Sequence, residues 1–566
     1  MCPSLSRCIH TIFDRYAMLK IKVLLNALST MALLAGCTTI AVTPGRSVTI
    51  QNTFQINNAD ILIRNGRIID GTGNSWYLAD LAIRDGKIVA IGKLDHYKAT
   101  RTIDARRQIV APGFIDVHAH IEFGLFENPT ANNYVHDGVT TVITGNCGGS
   151  ADSLAEFFTR IDTTGTSINV ASLVGHNTVR RQVLGLANRE ASADDQRRME
   201  ALVEQAMREG AVGLSTGLIY LPGLYSSTDE VIGLARAAAR HRGIYASHIR
   251  NEGNKVVDAI EEALNIGRAA NMPVQISHFK VSAPANWGRS RETLALIERA
   301  RSEGLDVTID QYPYTASSTT LSVMLPDWAV EGGSDAIGKR LSDPAQRRKI
   351  AAEMFFNARE NKRPDFSYAV VARHAADASL NGKNLSAINL QKGRPATMEA
   401  EIETLLDLLV AGGAQMVYHG MNEDDVRFIM RYPFNMVGAD GGVQNGKGMP
   451  HPRSYGTNAR VLGKYVREEK IMTLEEAIRR MTSLAAQKFQ LKDRGLLRVG
   501  FAADIVIFDE TQIIDKATFE APHQFSSGIS DVLVNGKSVI DSGRHTGMRS
   551  GIALKGTGFF PATGVE

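Results

Sequence analysis

The stretch "GFIDVHAH", residues 113–120, is a short apolar run that ends in two histidines set in alternation. Side chains on a strand alternate between faces, so His118 and His120 point the same way from one strand end. Eight more short apolar runs follow: "VTTVITG", "INVASLVG", "AVGLSTG", "GIYASH", "PVQISHF", "LDVTIDQY", "QMVYHG" and "FNMVGAD". Amphipathic helices separate them, which is the habit of a parallel sheet wrapped by helices. The helices carry their own punctuation. Ser227 with Glu230 and Thr473 with Glu476 form capping-box patterns, and Gly210, Gly243 and Gly304 follow helical runs as stop signals. A closed (β/α)8 barrel needs eight strands. We assign the surplus to "QMVYHG" and read the charged, irregular region at about 325–414 as an insertion before the last barrel strand.

Working outward, the rhythm changes at both ends. "ILIRNGRIIDGTG" suggests two strands around Asn65-Gly66, "LAIRDGKIVAIG" repeats this at Asp85-Gly86, and "DVLVNGKSVIDSG" does so at Asn535-Gly536. Such pairs favour the positive φ of tight hairpin turns. With "FAADIVIFDE" as a further strand, the two ends can meet in one small domain. The expected fold is therefore α/β: a TIM-like barrel over 111–490, with a small β-sandwich domain made from 59–110 and 491–566.

Composition excludes several classes. The 566 residues carry 63 basic and 60 acidic side chains, a formal net charge of +3, and no sustained basic run, which speaks against nucleic acid as a partner. The segment "MLKIKVLLNALSTMALLAGC", Met18 to Cys37, places Lys20 and Lys22 before a short apolar run and then small residues, the order of an export signal. Asn26, Ser29 and Thr30 interrupt it too much for a membrane span. Its ending "LAGC" resembles the lipobox of bacterial lipoproteins. That implies a signal peptide over 1–37, a linker over 38–58, and a lipid-modified Cys37 that anchors an exported, periplasmic protein, with Met18 an alternative start to Met1. Thr38 after the cysteine lacks the aspartate linked to inner-membrane retention, so the outer membrane is the expected site. Removal of Cys2 and Cys8 would then leave Cys147 without a disulfide partner, either as a buried small residue or as a metal ligand.

Barrel active sites are built at the C-terminal ends of the strands. Those positions hold His118, His120, Cys147 in "TGNC", His248 in "YASHIRNEG", His278 in "QISHFK" and Asp440 in "VGADGG". Any one of these could be structural. Together they form an imidazole, thiolate and carboxylate set that suits zinc, which accepts all three donor types and in catalytic sites keeps a position open for water.

From about Ile61 onward the chain resembles the amidohydrolase superfamily and, within it, the N-acyl-D-amino-acid deacylases. The resemblance rests on "PGFIDVHAH", "GVTTVITGNCG", "GLSTGLIYLPG", "SHIRNEG", "SHFK", "DQYPYTASST", "GADGG" and "HPRSYGT". It implies a tightly held zinc on Cys147, His248 and His278, and a weaker second metal position at His118, His120 and Asp440. It also implies hydrolysis of N-acyl-D-amino acids by a metal-activated water, with Asp440 moving the proton, and capture of the substrate α-carboxylate by Lys280, Tyr312 and Arg453. Arg250 and Glu252 either reach this site or form a structural ion pair, whereas Tyr314, His176 and His419 fall near strand ends without a role. The spacing from Asp440 to Arg453, through "GGVQNGKGMP", is slightly longer than the family pattern. Hydantoinase-like relatives bridge two metals with a carboxylated mid-barrel lysine, and this chain has no lysine between Lys98 and Lys255 to supply one. The alternatives are another amidohydrolase, acting on cyclic amides or on dipeptides with a C-terminal D-residue, and a non-catalytic ligand-binding lipoprotein.

Overall fold

Eight strands form the ring in the computed structural model, which describes residues 57–560: Phe114–Asp116, Val139–Thr144, Asn169–Ser172, Gly213–Gly217, Ile244–His248, Val274–Ile276, Val307–Gln311 and Asn435–Val437. The expected signal segment with Cys37, and nearly all of the 38–58 linker, lie outside the described residues. Every pairing in the ring is parallel. The strands are buried along their length, as a sheet covered on both faces requires, and so they read as continuous apolar or β-branched runs. The third strand resumes after Leu173 as Val174–Gly175 to meet the fourth. The ring closes where Ala119 bridges Gly441, with Asp440 N donating to His118 O at 2.7 Å and His120 N to Gly441 O at 2.8 Å. Closure thus brings three of the candidate ligands onto one seam. No helix among the described residues is long and apolar enough to cross a membrane.

The run "QMVYHG" stands outside the ring. Its strand, Ala414–His419, is the middle of a three-stranded antiparallel sheet with Ala316–Thr320 and Ala369–His374. The insertion therefore spans 316–419 rather than 325–414. Its first strand, "ASSTT", carries no apolar alternation to announce it. The insertion has its own core, in which Leu321, Phe366, Leu405 and Met416 are buried.

Strands from both ends join in one nine-stranded sheet. Ile109–Pro112 runs antiparallel to Ile505–Phe508, pairing Pro112 with Ile505 and Ile109 with Phe508. Alternation along the later strand serves two cores. Ile505 and Ile507 face Ile63 and Ile83 inside the small domain, whereas Val506 and Phe508 pack on barrel residues such as Phe114. Asp85-Gly86 and Asn535-Gly536 are two-residue hairpin turns. Asn65-Gly66 is not a turn. Asn57–Ile68 is a single strand with a bulge between Ile63 and Gly66, and the bulge uses the positive φ of Asn65, 56°. The last described residues also depart from expectation. After His545 the chain leaves the small domain and crosses the N-terminal side of the barrel, bridging Gly551 to Thr166 and Ala553 to Val170.

Candidate metal centre

His248 is the last residue of its strand, and every other candidate ligand sits just past a barrel strand, where the backbone turns away from the ladder. Asp116 sets the first of these turns, because its Oδ1 accepts from His118 N at 3.0 Å and from Ala439 N at 2.9 Å, tying the first strand to the last. Cys147, His278 and Asp440 adopt positive φ values of 51°, 36° and 50°. Left-handed backbone costs on the order of 1 kcal/mol at a non-glycine residue and persists where surrounding contacts over-determine it, commonly at functional sites. Beside the cysteine, Gly148 (φ 75°) leaves no room for a side chain, since a Cβ there would lie 2.2 Å from Asn177 Oδ1.

These turns bring the predicted ligands together. Cys147 Sγ lies 3.3 Å from His118 Nε2, 3.5 Å from His248 Nδ1 and 3.6 Å from His278 Nε2. A tetrahedral ion bonded to sulfur at about 2.3 Å and to nitrogen at about 2.0 Å keeps those atoms roughly 3.5 Å apart. The Cys147 separations match such edges, and the 2.7 Å between His278 Nε2 and His248 Nδ1 is tighter. Protonation fits as well. Burial, then the neighbouring His278, holds His248 well below the usual imidazole range, and burial also lowers His118, so both rings favour the neutral form that ligates metal. Burial and the Asp440 carboxylate push the Cys147 thiol well above its ordinary value, so a thiolate here calls for a cation beside it. The donor set therefore suits zinc.

Supporting carboxylates stand behind the ligands. Glu252 Oε1 is 3.0 Å from His278 Nδ1, Lys280 Nζ lies 2.8 Å from the same nitrogen, and Lys280 donates to Glu252. Asp310 Oδ1 accepts from His278 N at 2.7 Å and lies 3.3 Å from His118 Nδ1. Such partners orient metal-binding imidazoles. Asp310 was missed in the sequence, although it is the penultimate residue of the seventh strand, at the same end of the barrel as the ligands.

The second candidate position gathers His118, His120 and Asp440. Asp440 Oδ1 is 3.1 Å from His120 Nε2 and 3.7 Å from His118 Nε2, and its Oδ2 is 2.9 Å from Arg453 Nη1. Burial works to raise this carboxyl, but Arg453, His118 and the His120 contact prevail and hold it well below the usual range.

The remaining predicted residues divide. Arg453 lines a cavity of about 700 Å³ that opens over His120, Cys147, His278 and Asp440, and its guanidinium lies 4.5 Å from the centre of the Tyr312 ring. Lys280 and Tyr312 share a smaller hollow behind His278. Arg250 is a correction. Its Nε and Nη2 donate to the two oxygens of Glu262 at 2.9 Å each and its other donors reach the carbonyls of Leu224 and Ser226, so it is an ion-paired structural residue outside the cavity. Glu252, its neighbour in "HIRNEG", reaches the ligands instead. His176 pairs with Glu230, Tyr314 with Asp515, and His419 lies against Phe519. His451, which the sequence did not single out, lines the cavity and accepts from Arg453 N at 3.0 Å.

Comparison with known proteins adds three findings. A profile of the amidohydrolase family matches residues 101–540. N-acyl-D-glutamate deacylase of Alcaligenes xylosoxydans xylosoxydans is 38% identical over 502 residues, 85% of this chain and 93% of the relative, and D-aminoacylase from the same organism is 35% identical over 521 residues, 88% and 98%. The solved N-acyl-D-glutamate deacylase of Bordetella bronchiseptica, complexed with zinc and a phosphonate mimic of the reaction's tetrahedral intermediate, superposes with a TM-score of 0.75 at 36% identity, covering 88% of this chain and 100% of that one.

Proposed function

The chain belongs to the amidohydrolase family and, within it, to the N-acyl-D-amino-acid deacylases, and from that membership we propose that it hydrolyses the amide bond of N-acyl-D-amino acids, releasing a carboxylate and a free D-amino acid. The observation that carries this reading is the Cys147 sulfur ringed by three imidazole nitrogens, with Asp440 beside them at the mouth of the barrel.

Cys147, His248 and His278 would hold the zinc, and His118, His120 and Asp440 a weaker second ion. Bound zinc lowers the pKa of water and polarises a carbonyl oxygen. Asp440 Oδ1 takes the proton of the attacking water and returns it to the departing nitrogen, a two-way transfer open to a carboxylate that stays ionised at rest. Arg453 presents a planar fork suited to the substrate α-carboxylate. Tyr312 supports the Arg453 guanidinium with its ring face, while Lys280 and Glu252 orient His278 from behind.

The test is amine release from matched N-acetyl-D and N-acetyl-L amino acids by zinc-loaded protein. Hydrolysis of the D member alone, lost on chelation and restored by zinc, is the expected result. Turnover of a hydantoin or dihydroorotate instead would move the chain to a ring-opening activity. For its location we propose export and a lipid anchor through Cys37 in the outer membrane, supported by the order of residues in "MLKIKVLLNALSTMALLAGC". A Cys37→Ser variant should then lose membrane association; equal membrane recovery would refute the anchor.

A further inference from the structure

The cavity above Asp440 does not end at the ligands. A second hollow of about 700 Å³ adjoins it, and the two share His120, Phe123, Gly149, Thr178 and Arg181. Its apolar lining comes from Phe123, Phe126, Ala151 and Phe157. Phe126 meets Phe157 edge to face at 5.7 Å and carries the Arg160 guanidinium 3.9 Å above its ring centre, so the floor is already formed. Phe123 at the rim is 90% exposed. A lone exposed aromatic needs no explanation, but one that edges an apolar hollow opening onto reactive groups marks a binding groove.

The lining of the whole cavity is polarised. The apolar side chains of the groove come from the loop after the first barrel strand and from the loop and helix Leu154–Thr164 after the second. Across the ring, the insertion after the seventh strand contributes Ser318, Arg373 and Gln415, and Arg453 follows the eighth. An N-acyl amino acid has the same polarity: an anion at the amino-acid end, hydrocarbon at the acyl end, and the scissile amide between. With the carboxylate on Arg453 and the amide beside Asp440, the acyl chain points toward Phe123. A hollow of this size holds far more than the methyl of an acetyl group.

We propose that this groove is the acyl-chain subsite and that the preferred substrates carry medium to long hydrocarbon acyl groups, an inference that rests on the deacylase reading above. The experiment measures kcat/KM for the N-acetyl, N-butyryl, N-hexanoyl and N-octanoyl derivatives of one D-amino acid with the zinc-loaded full chain. Expected is a rise of about two- to fourfold per methylene, carried mainly by KM, because each buried methylene gains a constant transfer free energy. Phe123→Ala and Ala151→Glu should flatten that rise, and Ala151→Glu, which lies outside the lining of the cavity over Asp440, should leave acetyl turnover within about twofold of the parent, which also reports that it folds. A flat or falling series in the parent, with acetyl hydrolysis intact, overturns the subsite and leaves the deacylase reading standing. An equally steep rise in both variants overturns its location. No hydrolysis of any member overturns both readings.

Discussion

Asp440 is held between an imidazole and a guanidinium, and its position makes its role separable from that of the sulfur ligand. In Asp440→Asn the amide occupies the same space but cannot take up a proton. Its kcat should fall by about 10²- to 10⁴-fold, with zinc content near that of the parent by atomic absorption. Cys147→Ala should instead lose both zinc and activity. Retained zinc would remove the sulfur from the ligand set. A pH effect belongs to Lys488, whose ammonium is buried at the end of a short helix and donates to Asp306 O at 2.9 Å. Burial pushes it down to about 8 from an ordinary 10.5. Between those values the unfolded chain binds more protons than the folded one, so this group's contribution to stability rises with pH. Lys488→Met should therefore have its largest stability advantage below pH 8 and lose it, by on the order of 3 kcal/mol, as pH approaches 10.5. Unfolding midpoints across pH 7–10 check this, and a constant gap would contradict it. The six candidate ligands were legible because a strand end is visible in sequence and barrel chemistry collects there. Arg250 was ambiguous for a physical reason: "HIRNEG" fixes nearness to His248 but not the direction of a long side chain, and its partner Glu262 lies on the next helix.

At the scale of elements, that Arg250 to Glu262 pair ties the loop after the fifth strand to the helix Val256–Ala270. Arg250→Met should lower stability by about 1–3 kcal/mol, the range for losing hydrogen bonds to a charged partner, and leave KM for an acidic-end substrate unchanged. Arg453→Met should raise that KM, and it should lower the thermal midpoint as well, because it leaves the buried Asp440 carboxylate without its guanidinium. The reverse pattern in KM would exchange the two assignments. Strand pairing was less legible than strand existence. "QMVYHG" reads as an apolar strand whether it joins a parallel ring or an antiparallel insertion, because single-strand composition carries no partner information. Asn65-Gly66 shows the same limit, since a tight turn and a bulge both demand positive φ.

For the whole molecule, the small domain and barrel share apolar faces, and the last described segment stitches the N-terminal side of the barrel through its third strand. Val170 N donates to Ile552 O at 3.0 Å, and Leu554 N donates to Val170 O at 2.8 Å. A chain ending at Met548 should keep its zinc and lose stability on the order of 3 kcal/mol, the sum expected of several backbone bonds; an unchanged urea midpoint would show the segment to be dispensable. Its course was not visible in "GIALKG", a run too short and mixed to name a partner.

The seam that pairs Ile109–Pro112 with Ile505–Phe508 also imposes an order on the birth of the molecule. A ribosome adding about 5–20 residues per second must complete the entire barrel before the second half of the seam exists. Throughout that interval the Ile109–Pro112 edge is unpaired and Phe114, at the first barrel strand, lacks Phe508 against it. An open apolar edge is a site for pairing with other chains. Closure of so distant a contact is slow, and the strands made last are those that shut the fold.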